Sequence, residues 1–303
     1  MTPIDPARRD RSLTGVLLMI AAVTCFTGLD ATAKWCGQFI PPLETVGLRY
    51  VSALVFISGL VRPWSNLSVL RTVSPRLQAL RAMTLVAATV CSFTALHYLP
   101  LGQVTAISFA APLMVAVMAG PLLGEWPGRH RYAAIITGFC GVLVVTRPGG
   151  DMHWAVLVAL ATAVANAAYA LITRMLAGRD RPRTTLFYSG LVGALVVIPV
   201  LPVVWAMPPG RVWAAVVGMG VLATLGHYLL IQANERAAAS VLAPFSYTQL
   251  VGATLLGWVV FGDVPDRFTL LGGLVIGLSG ITMLLQERRL RRRAADAGAR
   301  RGR

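Results

Sequence analysis

The sequence predicts an all-α integral membrane protein, with ten transmembrane helices arranged as two inverted five-helix repeats and both termini in the cytoplasm. Three observations carry this. Of 303 residues, 56% are apolar and 13% charged, giving a mean hydropathy of +0.69, whereas a soluble domain is about 25% charged. Apolar runs of bilayer-crossing length, about 20 residues, recur along the whole chain. Basic residues collect in alternate connections between them, as the positive-inside rule requires.

In chain order the ten runs are 14-37, 45-62, 77-98, 102-123, 131-147, 154-177, 184-205, 211-234, 238-261 and 268-286. Connections are short, so no soluble domain is inserted. The expected division is a cytoplasmic N-terminal segment 1-13, a first five-helix repeat 14-148, a second repeat 149-287, and a basic cytoplasmic tail 288-303. The N-terminus has the outline of a cleavable signal, with Arg8, Arg9 and Arg11 before an apolar stretch ending Ala31-Thr32-Ala33. Cleavage there would remove the first helix of a repeat, so the stretch is read as a retained span.

Charge fixes the expected orientation. With the N-terminus inside, 21 of the 27 basic residues fall in inside segments, and outside segments hold Arg147, Arg211 and Arg267. The net charge of +15 and pI near 11.1 therefore orient helices rather than bind nucleic acid, and no nucleic-acid partner is expected. The eight Arg of the tail are expected to lie against anionic lipid headgroups. The seven tryptophans all fall at or near predicted helix ends, as an interfacial belt does. All but one of the basic residues are Arg, the skew of a GC-rich bacterial genome, so the expected location is the bacterial inner membrane.

The four cysteines, Cys25, Cys36, Cys91 and Cys140, lie in or beside apolar runs without CxxC spacing, and read as packing residues. The chain has no GxxxxGK[ST], HExxH or GxSxG and no clustered metal ligands. No catalytic residue, metal or cofactor is assigned, and ATP-driven transport by the chain alone is not expected.

The halves superpose in sequence. Gly124-Glu125-Trp126-Pro127 matches Gly262-Asp263-Val264-Pro265, and Lys34, Pro42 and Thr45 match Arg174, Pro182 and Thr185. An odd number of helices per unit inserts the second copy upside down, the arrangement found around midplane sites in secondary transporters.

The run from Ala95 to Pro112 (ALHYLPLGQVTAISFAAP), then Gly124-Glu125 and Gly138-Phe-Cys-Gly141, resembles the EamA-type transporters of the drug/metabolite transporter superfamily. The second half agrees through Ala243 to Gln249, Phe261-Gly-Asp263 and Gly272-Gly273, although Asp263 stands where that motif often has Glu. The resemblance covers about residues 14 to 287. It implies a cavity lined mainly by spans 1, 3, 4, 6, 8 and 9, and secondary transport of small organic solutes. The stretch from Asp30 to Trp35 is similar to subgroups that import riboflavin or S-adenosylmethionine. The alternatives from other classes are a lipid-carrier flippase or accessory subunit and an integral membrane enzyme. Expected partners are a small-molecule substrate and the lipid bilayer, with a homodimer left open.

Four charges lie inside the spans, where each costs roughly 2.5–3.5 kcal/mol at a helix centre. Arg81 is expected to snorkel to the nearer interface. Asp30 is too short to do so and needs a partner. Lys34, one turn away, and Arg49, at similar depth on the next span, are the two candidates. The pair is either a structural tie between spans or part of a substrate or proton site.

Helical spacing adds further candidates. Asn166, Tyr169 and Thr173 share one face of span 6, and Thr224, His227 and Asn234 one face of span 8. Span 9 offers Tyr247 and Gln249. Asn166 and Gln249 either join helices or face a wet cavity. His227 is either a proton site or a neutral core residue. Tyr169, Tyr228, Tyr247 and Trp258 are available to stack on an aromatic solute. Pro112 and Pro244 are read as helix-interior bends, and Glu125 and Asp263 as carboxylates favouring the starts of the last helices of each half.

Overall fold

The computed structural model describes residues 6–124, 126, 129–149, 152–176, 179–237 and 239–301. These form thirteen α-helices: α1 Pro6–Cys36, α2 Pro42–Val61, α3 Pro75–Tyr98, α4 Leu101–Ser108, α5 Ala111–Leu123, α6 Arg129–Thr146, α7 Ala155–Leu176, α8 Pro182–Val197, α9 Leu201–Val204, α10 Gly210–Arg236, α11 Ala239–Ser246, α12 Thr248–Phe261 and α13 Arg267–Arg301. A 3₁₀ turn, Leu67–Leu70, follows α2, and no strand occurs among the described residues. Among the described residues, six segments are long and apolar enough to cross a membrane: Leu13–Cys36, Pro42–Val61, Pro75–Tyr98, Leu101–Leu122, Ala155–Leu176 and Gly210–Arg236. Tyr132–Thr146 and Arg267–Met283 are shorter apolar helices. The fold is thus all-helical and of the membrane type.

Local chemistry sets the helix starts. Pro42, Pro75 and Pro182 each occupy a first-turn position, where the missing N–H has no intrahelical partner to lose. Asp266 accepts the Thr269 N–H at 2.7 Å at the start of α13. Asp263 lies four residues before α13 begins, outside that turn, and its carboxylate is engaged by Lys34. Glu125 and the side chains of the basic tail fall outside the described residues; the α13 backbone continues through the tail to Arg301.

Three runs read as continuous are interrupted. The fourth breaks at Phe109–Ala110 into α4 and α5, and the ninth breaks at Tyr247 into α11 and α12. Pro112 therefore sits in the first turn of α5, not inside a continuous helix as expected, and removes no hydrogen bond there. Pro244 lies within α11, three residues before its break. The seventh run stops at Val197, and α9 follows as a separate turn.

The two interrupted helices end alike. Gly124 closes α5 with φ 71° and ψ 10°, and Gly262 closes α12 with φ 70° and ψ 12°. Both adopt the left-handed conformation that a side chain disfavours. Phe109 and Tyr247, at the two breaks, stack with ring centres 4.8 Å apart.

Packing couples the halves. α1 lies along α10, α3 along α7, and α6 along α13. At the last contact Gly272 has no room for a side chain, because a Cβ would come within 2.6 Å of the Gly141 carbonyl oxygen. The main core runs through α2, α3, α4, α7, α8 and α10 around Tyr50, Leu96, Leu101, Ile107 and Met219.

Candidate functional site

The ends of the bundle are called here the Lys34 end and the Asp180 end. Between them, Asp30 (α1), Arg49 (α2), His227 (α10) and Gln249 (α12) converge. Gln249 and the Arg49 charge both lie close enough to act on the Asp30 carboxyl. His227 lies within electrostatic reach of both Arg49 and Arg81 and meets Phe26 edge-on, ring centres 5.0 Å apart. Asp30 and His227 sit mid-helix and Gln249 in the first turn of α12, and all three are half-buried.

Polar groups here are incompletely matched. Neither ring nitrogen of His227 has a hydrogen-bond partner, and neither does Arg49 Nε. The described residues contain two ion pairs within 4.0 Å, Lys34–Asp263 and Arg147–Asp266, and Arg49 is in neither. Buried polar groups left this way are rare in folded proteins and point to a missing partner.

Of the two partners expected for Asp30, the structure brings up Arg49 and sends Lys34 away. Lys34 Nζ lies 3.2 Å from Asp263 Oδ2 and donates to the Leu99 carbonyl at 2.7 Å. The Asp263 contact is ionic rather than a well-directed hydrogen bond, since that oxygen has no hydrogen-bond partner. A four-carbon stem near the end of α1 reaches the carbonyls that terminate α3, where a cation is favoured by the helix dipole. The i,i+4 spacing of Asp30 and Lys34 made a shorter contact available, and these long-range acceptors displace it.

Arg81 does not snorkel. It is 7% exposed, and its guanidinium turns inward to bind α7 and α8. Nε donates to Thr173 Oγ1 at 2.7 Å and Nη1 to Ser189 Oγ at 2.6 Å. Nη2 donates to the Tyr169 hydroxyl, and the guanidinium lies 4.4 Å from the centre of that ring. Tyr169 and Thr173, expected to share a face, do so, and that face holds Arg81. Asn166, one turn earlier, is half-buried and makes no side-chain hydrogen bond among the described residues.

Tyr247 stacks on Phe109 at the meeting of the two broken helices, and its hydroxyl presses on Gly280, where a Cβ would overlap it. Trp258 is 56% exposed on the outer surface and Asn234 is exposed and bonds its own helix at Leu230, so both leave the site. Thr224 stays buried and reaches the Ala53 carbonyl at 3.4 Å.

Two polar clusters escaped the reading of the sequence. At the Asp180 end, Asp180 accepts from Thr72 Oγ1 (2.5 Å), the Val73 N–H (2.9 Å) and Gln78 Nε2 (2.9 Å). Burial pushes its carboxyl up, but these donors outweigh that and hold its pKa below the ordinary value. At the Lys34 end, Glu44 is fully buried and accepts the Ala206 N–H at 3.0 Å. Glu44 stood one residue before the second run, and only the earlier start of α2 at Pro42 places it inside the helix; Asp180 lay in a connection, so neither carried a signal of burial. A cavity of 430 Å³ opens at the Asp180 end between α2, α8 and α10, lined by Arg181, Arg183, Tyr228 and Glu235 among others. It takes in Tyr228 but none of Asp30, Arg49, His227 or Gln249, and is separate from the mid-bundle site.

Comparisons with known proteins agree on one family. The model of the EamA-like transporter family matches twice, over residues 13–147 and 153–286. A riboflavin transporter of Vibrio cholerae is 32% identical over 276 residues, covering 88% of this chain and 91% of that protein. The pseudopaline exporter CntI of Pseudomonas aeruginosa is 27% identical, covering 89% and 95%. An S-adenosylmethionine uptake transporter of Rickettsia conorii is 25% identical, covering 94% and 97%. A crystal structure 21% identical in sequence shares the fold, with a TM-score of 0.65 over 91% of this chain and 98% of its own. With both of its halves matched, the protein belongs to the EamA-like transporter family, whose members are transporters rather than enzymes.

Proposed function

We propose that this is a secondary transporter that moves a small organic solute across the bacterial inner membrane by alternating access around the mid-bundle site. The solute is amino-acid-, vitamin- or nucleoside-like, in keeping with relatives named for riboflavin, S-adenosylmethionine and pseudopaline. The observation that carries the reading is the convergence of Asp30, Arg49, His227 and Gln249, from four helices, at a place where buried polar atoms lack partners.

In this reading the chain crosses the membrane ten times, with α4 and α5 forming one span and α11 and α12 another. Residues 14-148 and 149-287 are inverted repeats, and both termini are cytoplasmic. The Lys34 end then faces outward and the Asp180 end inward. Discontinuous spans around a midplane site are the transporter pattern. The Lys34–Asp263 ion pair and the packing of α4 on α12 close the outer end. Asp30, Arg49, His227 and Gln249 contact the solute, Tyr247 walls the site, and Tyr169 and Asn166 line its inner side. Pro112 and Pro244 mark where the broken spans bend as the closed end exchanges.

The test is uptake by purified protein in proteoliposomes, with riboflavin and S-adenosylmethionine first in a metabolite panel. The reading expects saturable uptake of at least one compound by this protein alone. Activity appearing only on addition of a second membrane protein would support the accessory-subunit alternative instead. Cysteine labelling from either side checks orientation: residues of 62-74 and 177-181 should react from the cytoplasmic face only.

A further inference from the structure

We propose that the transported solute carries an anionic group, a carboxylate or a phosphate, and that Arg49 binds it. Asp30 and Gln249, beside Arg49, then take a hydrogen-bond-donating or cationic group of the same solute. The inference deepens the transporter reading and rests on it.

The argument starts from the guanidinium, which stays charged in any protein environment. Arg49 is 5% exposed. Its Nε lacks a partner, and among the described residues its side chain donates no hydrogen bond and sits in no ion pair within 4.0 Å. Its surroundings are the Tyr50 ring, 4.4 Å from the guanidinium carbon, and the Asp30 carboxylate, which feels its charge without closing on it. The Asp30 charge lies near, but the buried donors of the guanidinium have no acceptor from the chain, which is unfavourable, and an anionic group of the solute would fill them.

Arg81 serves as the internal comparison. It is buried to the same degree, yet its donors are occupied by Thr173, Ser189 and Tyr169. Two buried arginines thus differ in one respect, whether the chain supplies their acceptors. Arg81 is a fixed post between helices, and Arg49 is an open fork. A fork of parallel N–H donors matches the two oxygens of a carboxylate or phosphate. His227, with both nitrogens unpartnered and within electrostatic reach of Arg49, adds a further hydrogen-bonding group.

The experiment has two arms. In the first, the empty protein, Arg49→Gln and Arg81→Gln are compared by thermal unfolding. Arg49→Gln is expected to lower the melting temperature clearly less than Arg81→Gln, because it removes no hydrogen bond that the chain itself supplies. A fall for Arg49→Gln equal to that of Arg81→Gln overturns the proposal, whatever solute is transported.

The second arm uses proteoliposome uptake of S-adenosylmethionine, its decarboxylated counterpart and riboflavin. The carboxylate-bearing probe should be favoured over its decarboxylated form by about tenfold or more, the worth of a charge-assisted hydrogen-bond pair. Arg49→Gln should abolish that preference, while Arg49→Lys, which keeps the charge without the fork, should retain part of it. Riboflavin uptake that is the same in the parent and in Arg49→Gln overturns the anion assignment and leaves the transporter reading standing. If the parent takes up no compound of the wider metabolite panel either, the transporter reading itself is contradicted, and the inference falls with it.

Discussion

Arg81 shows how much a single side chain can organise when its acceptors lie on other helices. Its partners Tyr169, Thr173 and Ser189 are about 90 to 110 residues away in sequence, a separation that no helical spacing reveals. A long cationic side chain five residues inside a span reads as one that reaches for water, and the structure turns it inward instead. Asp30 and Lys34 make the complementary case. Their one-turn spacing was legible, and so was the need for a partner at Asp30; the geometry that sends Lys34 to Asp263 was not, because it depends on where α3 and α12 end. Replacing Arg81 by Lys keeps the charge but loses the fork. It should cost about 1.5–3 kcal/mol, the range for hydrogen bonds to a charged group, read as a lower melting temperature. Asp30→Asn should insert and fold normally, checked by size-exclusion behaviour, yet lose uptake or its pH dependence. Unchanged uptake with unchanged pH dependence would remove Asp30 from the site.

At the scale of elements, the apolar runs were legible to within a few residues, because about 20 consecutive apolar residues have few other readings. The breaks inside the fourth and ninth runs were not, since both runs are apolar throughout and Pro112 and Pro244 alone do not say where a helix restarts. The glycine that ends each broken helix is a local necessity. Gly262→Ala should destabilise by about 1–2 kcal/mol, the penalty of a side chain in the left-handed conformation, seen in thermal unfolding. Asp180 joins the 72-78 segment to the connection between α7 and α8. Its folded pKa is depressed, so its stabilisation is present above the ordinary carboxylate pKa of about 3.9 and is lost as pH falls through the folded value. The melting temperature should therefore drop on acidification below about pH 4 more steeply in the parent than in Asp180→Asn. Equal slopes would show that the cluster contributes nothing to acid sensitivity.

At the scale of the molecule, helices that correspond in the two halves pack in corresponding ways. α1 lies along α10 as α7 lies along α3, and α1 meets α12 as α7 meets α5. The correspondence fails at one place. α4 packs closely on α12, with Gly102 against Thr254, while among the described residues its counterpart pair, α11 and α5, shows no comparable contact. In the transporter reading this difference is the closing of one end and not the other, the asymmetry that alternating access requires of any single state. Cutting the Lys34–Asp263 tie should ease opening of the closed end. In Lys34→Gln, a single cysteine placed at Thr254 should react faster with an impermeant thiol reagent added outside. The same rate in both proteins would show that the ion pair does not hold that end shut.

The central claim is that one mid-bundle site is reached in turn from the two sides of the membrane. Solute counterflow tests it most directly: proteoliposomes loaded with an unlabelled solute of the panel are diluted into the same labelled solute, with no imposed gradient of ions. The account predicts a transient accumulation of label in vesicles containing the parent protein for at least one solute of the panel, and none in protein-free vesicles. Label that only equilibrates without accumulating, or that enters no faster than into protein-free vesicles for every solute of the panel, would contradict it.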